Sequence, residues 1–306
     1  MMKEVKKMIE VVDVSKQFQE LEALKNVSLS VQKGSIYGLV GSNGAGKTTL
    51  LKLLAGIYRQ NTGELTIDAQ PVFENEAIKA RTAFIPDLLY FFPNFTLQDT
   101  ADFYARIYPQ WNRARFEKLG GAFNIEVKRR IKTLSKGMQR QVSIWLNLAL
   151  MPDVMILDEP IDGLDPVMRQ KVKNLIIQDV AEREMTVMIS SHNLRDLEDI
   201  CDYIGILHQG EMLIQKDLDD FKADIHKIQV AFSGEIPPAL LQDMQPLYQE
   251  KRGSVLILIV RGGSEDIIRH MRSYHPAILD VLPLTLEEIF IYEMGDNGYE
   301  IKNILY

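Results

Sequence analysis

Residues Gly41 to Thr48 read GSNGAGKT and lie between an all-apolar run, IYGLV, and a helical run, TTLLKLLAG, that Gly56 closes. A glycine-rich turn joining a buried strand to a helix leaves few folds open. The strand must be covered on both faces and the helix must begin at its carboxyl end, as in an α/β domain built on a parallel sheet. The pattern G-x-x-x-x-G-K-[ST] adds a chemical requirement. Gly41, Ser42, Asn43, Gly44, Ala45 and Gly46 let backbone N–H groups curl around phosphate oxygens, and the helix N-terminus adds partial positive charge. Lys47 reaches the terminal phosphates and Thr48 can ligate magnesium, so this stretch predicts a nucleotide site.

Two later runs, VMILD and TVMIS, are apolar throughout, as strands buried on both faces are. VMILDE ends on consecutive carboxylates, and in an open α/β sheet ligands sit at the carboxyl ends of strands. Asp158 is placed for magnesium, directly or through water. Side chains alternate along a strand, so Glu159 points differently and can polarise a water against the terminal phosphate. Alone, such a pair is also what a solvated strand end looks like; the phosphate loop upstream favours function. Asp165, in IDGLDP, lies in a turn bounded by glycine and proline, and His192 ends TVMISSH. A lone histidine is usually a structural or surface residue; at the carboxyl end of a parallel strand, His192 reads either so or as a hydrogen-bond partner of the terminal phosphate or the attacking water.

Short alternating segments near the start, IEVVDV and VSLSV, predict an antiparallel patch, and a helical insert spans about 96–152. YIGILHQGEMLIQ reads as two strands around a His-Gln-Gly turn. The fold class is therefore α/β over 8–222, with a mostly parallel core sheet, an N-terminal antiparallel β subdomain and the helical insert; a small α+β domain occupies 223–306. The net charge of −7 is spread along the chain, which argues against coating nucleic acid. Cys201 is the only cysteine, which excludes an internal disulfide and fits a reducing compartment. The N-terminus lacks the apolar core of a signal peptide. The longest apolar run, VLILIV, is far short of the roughly 20 residues of a membrane helix, so the chain is not expected to span a membrane.

A second helix opens on LSKGMQ. Ser135 is a good N-cap, and Met138, Val142, Trp145, Leu146 and Ala149 form an apolar face before Pro152. Lys136 and Arg140 put positive charge in the first turns, which the macrodipole disfavours by about 0.3–1 kcal/mol each unless an anion approaches. Because the phosphate loop upstream is complete in itself, that anion is expected to be nucleotide held by another subunit.

Taken in order, GSNGAGKT, LSKGMQ, VMILDEP, IDGLDP and SSH resemble the ATP-binding subunit of an ABC transporter over residues 9 to about 220. The resemblance implies a P-loop NTPase fold and a head-to-tail dimer with two ATP molecules, each gripped by the phosphate loop of one subunit and the signature helix of the other. On that resemblance Phe18 stacks on adenine, and Lys47, Thr48 and Thr49 contact phosphate and magnesium. Asp158 is the magnesium aspartate, Glu159 the catalytic glutamate and His192 the switch histidine, with Lys47 completing the catalytic set. Ser135 and Gly137 would meet the partner's γ-phosphate, and Asp165 would communicate across the dimer.

Two departures stand out. Lys136 and Met138 occupy the third and fifth places of a signature usually written LSGGQ. Asp87, in AFIPDLLYFFPNFT, replaces a glutamine; it can still ligate magnesium but cannot donate a hydrogen bond. The apolar run LLYFFPNF reads either as part of a socket for the membrane subunit or as core packing. With its KGM-type signature and a short C-terminal domain with LTLEEIFIYEMG near its end, the sequence resembles bacterial exporters of drugs, antimicrobial peptides or other amphiphiles. The resemblance implies a separate transmembrane permease, a homodimer or a heterodimer with a paralogous ATPase subunit, a place at the cytoplasmic face of the membrane, and no nucleic-acid partner. The rival is a soluble cassette ATPase acting on DNA or the ribosome. Such proteins usually carry two ATPase domains or a long coiled coil, and this sequence has neither.

Overall fold

The structure, a computed structural model, describes residues 6–223 and 225–296. The chain divides into two compact units between Gln215 and Lys216, rather than at the 222/223 division read from the sequence. The shift has a local cause: the short helix over 218–223 buries Leu218 and Phe221 and contacts the last described helix.

The first unit opens with β1 (Lys7–Phe18), β2 (Leu21–Gln32), β3 (Ile36–Val40), α1 (Lys47–Leu54), β4 (Thr62–Ile67) and β5 (Gln70–Pro71). There follow α2 (Glu76–Ala80), β6 (Thr82–Ile85), α3 (Leu97–Ile107), α4 (Arg113–Phe123), α5 (Lys136–Ala149) and β7 (Val154–Asp158). The unit closes with α6 (Pro166–Arg183), β8 (Thr186–Ser191), α7 (Leu194–Leu197), β9 (Tyr203–His208) and β10 (Glu211–Asp217), the last two residues of which fall past the division. The expected antiparallel patch is a sheet of order β2-β1-β4-β5, and the core sheet runs β10-β9-β3-β8-β7-β6. Strands β3, β7 and β8 are buried at every residue, and the β9–β3–β8–β7–β6 pairings are all parallel. At the far edge β10 folds back beside β9 through Gln209 and Gly210, both with positive φ, as a two-residue hairpin turn requires.

Helix α1 is the centre of the core. Leu50, Leu51, Leu53 and Leu54 pack among Ile9, Val11, Val27 and Val31 of the antiparallel sheet and Leu39, Ile156 and Met188 of the parallel one. The helix opened by the phosphate loop is thus clamped between two sheets.

The helical insert holds α5. Trp145 stacks on Phe116, with ring centroids 4.8 Å apart, and donates its Nε1–H to the Phe116 carbonyl at 2.7 Å. The single apolar face expected of α5 is not what forms: every residue from Arg140 to Ala149 is buried, because α4 packs on one side of the helix and β6 on the other. Only its first turn, from Ser135 to Gln139, reaches solvent. In the segment after β6, Phe91 is buried while Leu88 and Tyr90 are exposed, so LLYFFPNF is partly core and partly surface.

The second unit runs α8 (Leu218–Ala223), β11 (Ile225–Ala231), α9 (Pro238–Met244), β12 (Tyr248–Arg252), β13 (Val255–Arg261), α10 (Ser264–Arg272), β14 (Ile278–Leu282) and α11 (Leu286–Asp296). Its antiparallel sheet has the order β12-β13-β11-β14, a split β-α-β-β-α-β arrangement of the ferredoxin type. Ile228, Val230, Leu256 and Leu258 pack against Leu240 of α9 and Met271 of α10. Residues 297–306, which the sequence assigned to this unit, lie outside the described residues. Among the described residues no helix is long and apolar enough to cross a membrane.

Candidate nucleotide site

The loop between β3 and α1 has the shape its sequence demands. Gly46 sits at φ 108°, and a Cβ there would lie 2.7 Å from the Ala23 carbonyl oxygen, so neither the conformation nor the space admits another residue. Lys47 is almost wholly buried. Its Nζ donates to the carbonyl of Gly41 and lies 3.5 Å from Glu159 Oε1, tying the loop to the end of β7.

Asp158 is 1% exposed, and both its oxygens are engaged. Oδ2 accepts from the Thr48 hydroxyl at 2.7 Å and Oδ1 from the Ser190 hydroxyl at 2.7 Å. Ser190 is the register partner of Asp158 on β8, and its oxygen also accepts from the Glu159 N–H at 3.1 Å. Sequence inspection passed over Ser190; the signal available was a serine inside an apolar strand, whose meaning depends on the β7–β8 pairing. The apposed hydroxyl of Thr48 and carboxylate of Asp158 are hard oxygen donors, the ligand chemistry that magnesium requires.

Glu159 diverges from Asp158 as expected, but by a different device. β7 ends at Asp158, and Glu159 adopts φ 48°, a left-handed conformation that costs a non-glycine residue about 1–3 kcal/mol. The turn aims the side chain at Lys47 and at His192, whose Nδ1 lies 3.0 Å from Oε2 and whose backbone N–H donates to the same oxygen at 3.3 Å. His192 is thus brought to Glu159, with Asp162, a residue the sequence did not single out, 4.0 Å from the same ring nitrogen.

Lys47, Thr48 and Glu159 border a cavity of about 560 Å³, whereas Asp158, Ser190 and His192 stand behind them and are not among its lining residues. Ser42 to Thr49, Asp87, Glu159, Gln209, Gly210 and the Leu21–Ala23 segment of β2 line it. Phe18 is not among the lining residues; it pairs with Leu21 across the β1–β2 turn, is 37% exposed and meets Tyr58 edge-on at 5.2 Å. Asp87 does line the cavity, and its Oδ1 lies 3.0 Å from Arg140 Nη2. Arg140 thus meets an anion within its own chain, while Lys136 is exposed at the helix mouth.

Ser135 caps α5 as expected, accepting from the Met138 N–H at 3.3 Å. Gly137 is needed within the chain as well: a Cβ there would lie 2.8 Å from the Gly163 carbonyl oxygen, so the start of α5 abuts the loop that follows Glu159. Asp165 caps α6, accepting from the Met168 N–H at 3.0 Å. Among the described residues, none of these three lines the cavity formed by the phosphate loop.

A phosphate loop on a sandwiched helix, with an acidic pair at the end of a parallel strand beside it, defines a nucleotide-binding domain of the P-loop class. Residues 24–162 match the family described as ABC transporter. The chain is 33% identical over 288 residues to the ABC transporter ATP-binding protein YtrB of Bacillus subtilis (strain 168), covering 94% of this chain and 98% of that one. It is 30% identical to the bacitracin transport ATP-binding protein BcrA of Bacillus licheniformis, across 70% of this chain and 71% of the relative. Among solved structures, an ATP-binding subunit of an ABC transporter superposes with a TM-score of 0.65 at 28% identity, covering 70% of this chain and 92% of that one. The chain belongs to the family of ABC transporter ATP-binding proteins.

Because Ser190 orients both Asp158 and the Glu159 backbone, Ser190→Ala is expected to raise the magnesium concentration for half-maximal ATPase activity by about tenfold or more. An unchanged magnesium titration would show that Ser190 only fills space.

Proposed function

We propose that this chain binds and hydrolyses ATP, and that two copies, or one copy and a paralogous ATPase subunit, close head to tail on two ATP molecules to drive a separate transmembrane permease. The observation that carries the head-to-tail arrangement is the placement of the α5 mouth. Ser135 and Lys136 reach solvent, and the residues that resemble a γ-phosphate contact stand apart from the chain's own cavity. A second molecule presenting the same helix end would complete the site, since such an end offers backbone N–H groups and partial positive charge to an anion.

Within one cavity the loop amides and Lys47 hold the phosphates. Glu159 accepts the proton of the attacking water, and His192, bonded to Oε2, fixes the direction in which that carboxylate points. Thr48 and Asp158, with Asp87 at the cavity wall, would hold magnesium, which when bound offsets charge on the phosphates. The partner's Ser135 and Gly137 amides would stabilise charge on the transferred phosphoryl group.

Export of drugs, peptides or similar amphiphiles is the direction favoured by the likeness to a bacitracin transport protein. The exposed Leu88 and Tyr90 would offer a permease an apolar surface to grip, which supports a position at the cytoplasmic face of the membrane. Co-purification of the chain with a membrane protein from detergent extracts tests this part; recovery of ribosomes or DNA instead would favour the soluble rival.

Glu159→Gln is expected to keep ATP binding and to lower turnover by about 10²-fold or more, the usual contribution of a general base. Hydrolysis at the wild-type rate would remove Glu159 from that role. In the Glu159→Gln background, light scattering with ATP should show Lys136→Glu forming less dimer than Lys136→Gly. Equal dimer in both would make Lys136 a solvated helix residue with no phosphate to meet.

A further inference from the structure

Strands β6 and β7 are parallel neighbours in register, with Ile85 opposite Leu157. Two residues beyond each, past the carboxyl ends of the strands, come Asp87 and Glu159, both lining the cavity, and Asp158 precedes the latter. Asp87 and Glu159 line the cavity in which a polyphosphate is to bind and the buried Asp158 stands beside it, so these three carboxylates, if unbalanced, would repel it. Two of them already have partners: Asp158 accepts from the Thr48 and Ser190 hydroxyls, and Glu159 faces the Lys47 ammonium and accepts from the His192 backbone N–H. The third, Asp87, is half exposed and lines the cavity, so its charge faces the ligand space.

Without a metal ion, what balances Asp87 is Arg140. Its side chain is 10% exposed, with Nη2 3.0 Å from Asp87 Oδ1 and Nη1 3.3 Å from the Pro86 carbonyl oxygen. A guanidinium buried to that extent requires an anion, and a carboxylate beside phosphate requires a cation, so each group makes the other tolerable. The geometry points to Arg140 as a positioning and charge-compensating residue of the nucleotide site: the Arg140–Asp87 pair is the neutral equivalent of an uncharged amide at position 87, and it lets the cavity accept the terminal phosphates. This rests on the cavity being the ATP site. The pair also explains the cation early in α5: Arg140 is held by a carboxylate of the adjoining segment, which ties the start of the signature helix to the wall of the chain's own cavity.

The test is calorimetric titration of the full chain with ATP and with ADP in EDTA, so that metal ligation does not contribute. Arg140→Gln leaves Asp87 unpaired and should weaken ATP binding by about tenfold, the scale of one like charge across a cavity of intermediate dielectric, and ADP binding by less. Asp87→Gln added to Arg140→Gln should restore ATP affinity to within about twofold of wild type, a rescue that a merely structural role for Arg140 would not give. Asp87→Gln alone should bind ATP at least as tightly as wild type, which keeps the inference exposed even if Arg140→Gln fails to fold. Undiminished ATP binding by a folded Arg140→Gln, no rescue in the double variant, or weaker binding by Asp87→Gln would each overturn it. Wild-type protein without ATP affinity would instead sink the nucleotide reading, and the pair's role with it.

Discussion

The buried ammonium of Lys47 is the contact on which the rest of the site depends. Its bond to the Gly41 carbonyl closes the loop on itself, and its approach to Glu159 joins that loop to the end of β7. Neither contact would hold its geometry if α1 could move. The helix is fixed by four leucines packed between the antiparallel and parallel sheets, so a small interior displacement at either sheet would be felt at the phosphate loop. The antiparallel sheet, which supplies Leu21 to Ala23 to the cavity wall, thus also anchors the helix beneath it.

Charge is the second constraint. A cavity built for a polyanion has carboxylates where the water and metal chemistry would take place, and each is held by a named donor or cation. Glu159 illustrates what that arrangement costs. A left-handed backbone at a glutamate persists only where the surroundings over-determine it, and here Ser190, Lys47 and His192 do so. The loop leaving that strained residue runs under Gly137, so the carboxylate that would activate water and the helix mouth proposed to meet a partner's phosphate share one segment of chain.

Features fixed by neighbours in the chain were legible in the sequence. The phosphate loop, the wholly apolar strands and the Ser135 cap each follow from a few adjacent residues, and the structure forms them where they were expected. Features made by distant residues were not. Ser190 reaches Asp158 across 32 positions and Arg140 reaches Asp87 across 53, so their meaning depends on which strands and helices become neighbours. The cations at the start of α5 were legible, but not that Arg140 pairs with Asp87 of its own chain, because helix electrostatics says that a partner is needed without saying where it lies. The burial of α5 on all sides also escaped its periodicity, since polar Gln141, Ser143 and Asn147 mimic a solvent face while lying in the interior. In the second unit the α+β class was readable, whereas the split strand order depends on long-range pairing.

The central claim is that one chain's phosphate loop and another chain's α5 mouth form a single ATP site. A crystal structure of the Glu159→Gln chain with bound ATP measures this most directly. The terminal phosphate is expected within hydrogen-bond distance of Lys47 of one copy and of the Ser135 hydroxyl and Gly137 N–H of a second. A terminal phosphate contacted only by residues of its own chain, with the α5 mouth left in solvent, would contradict the account.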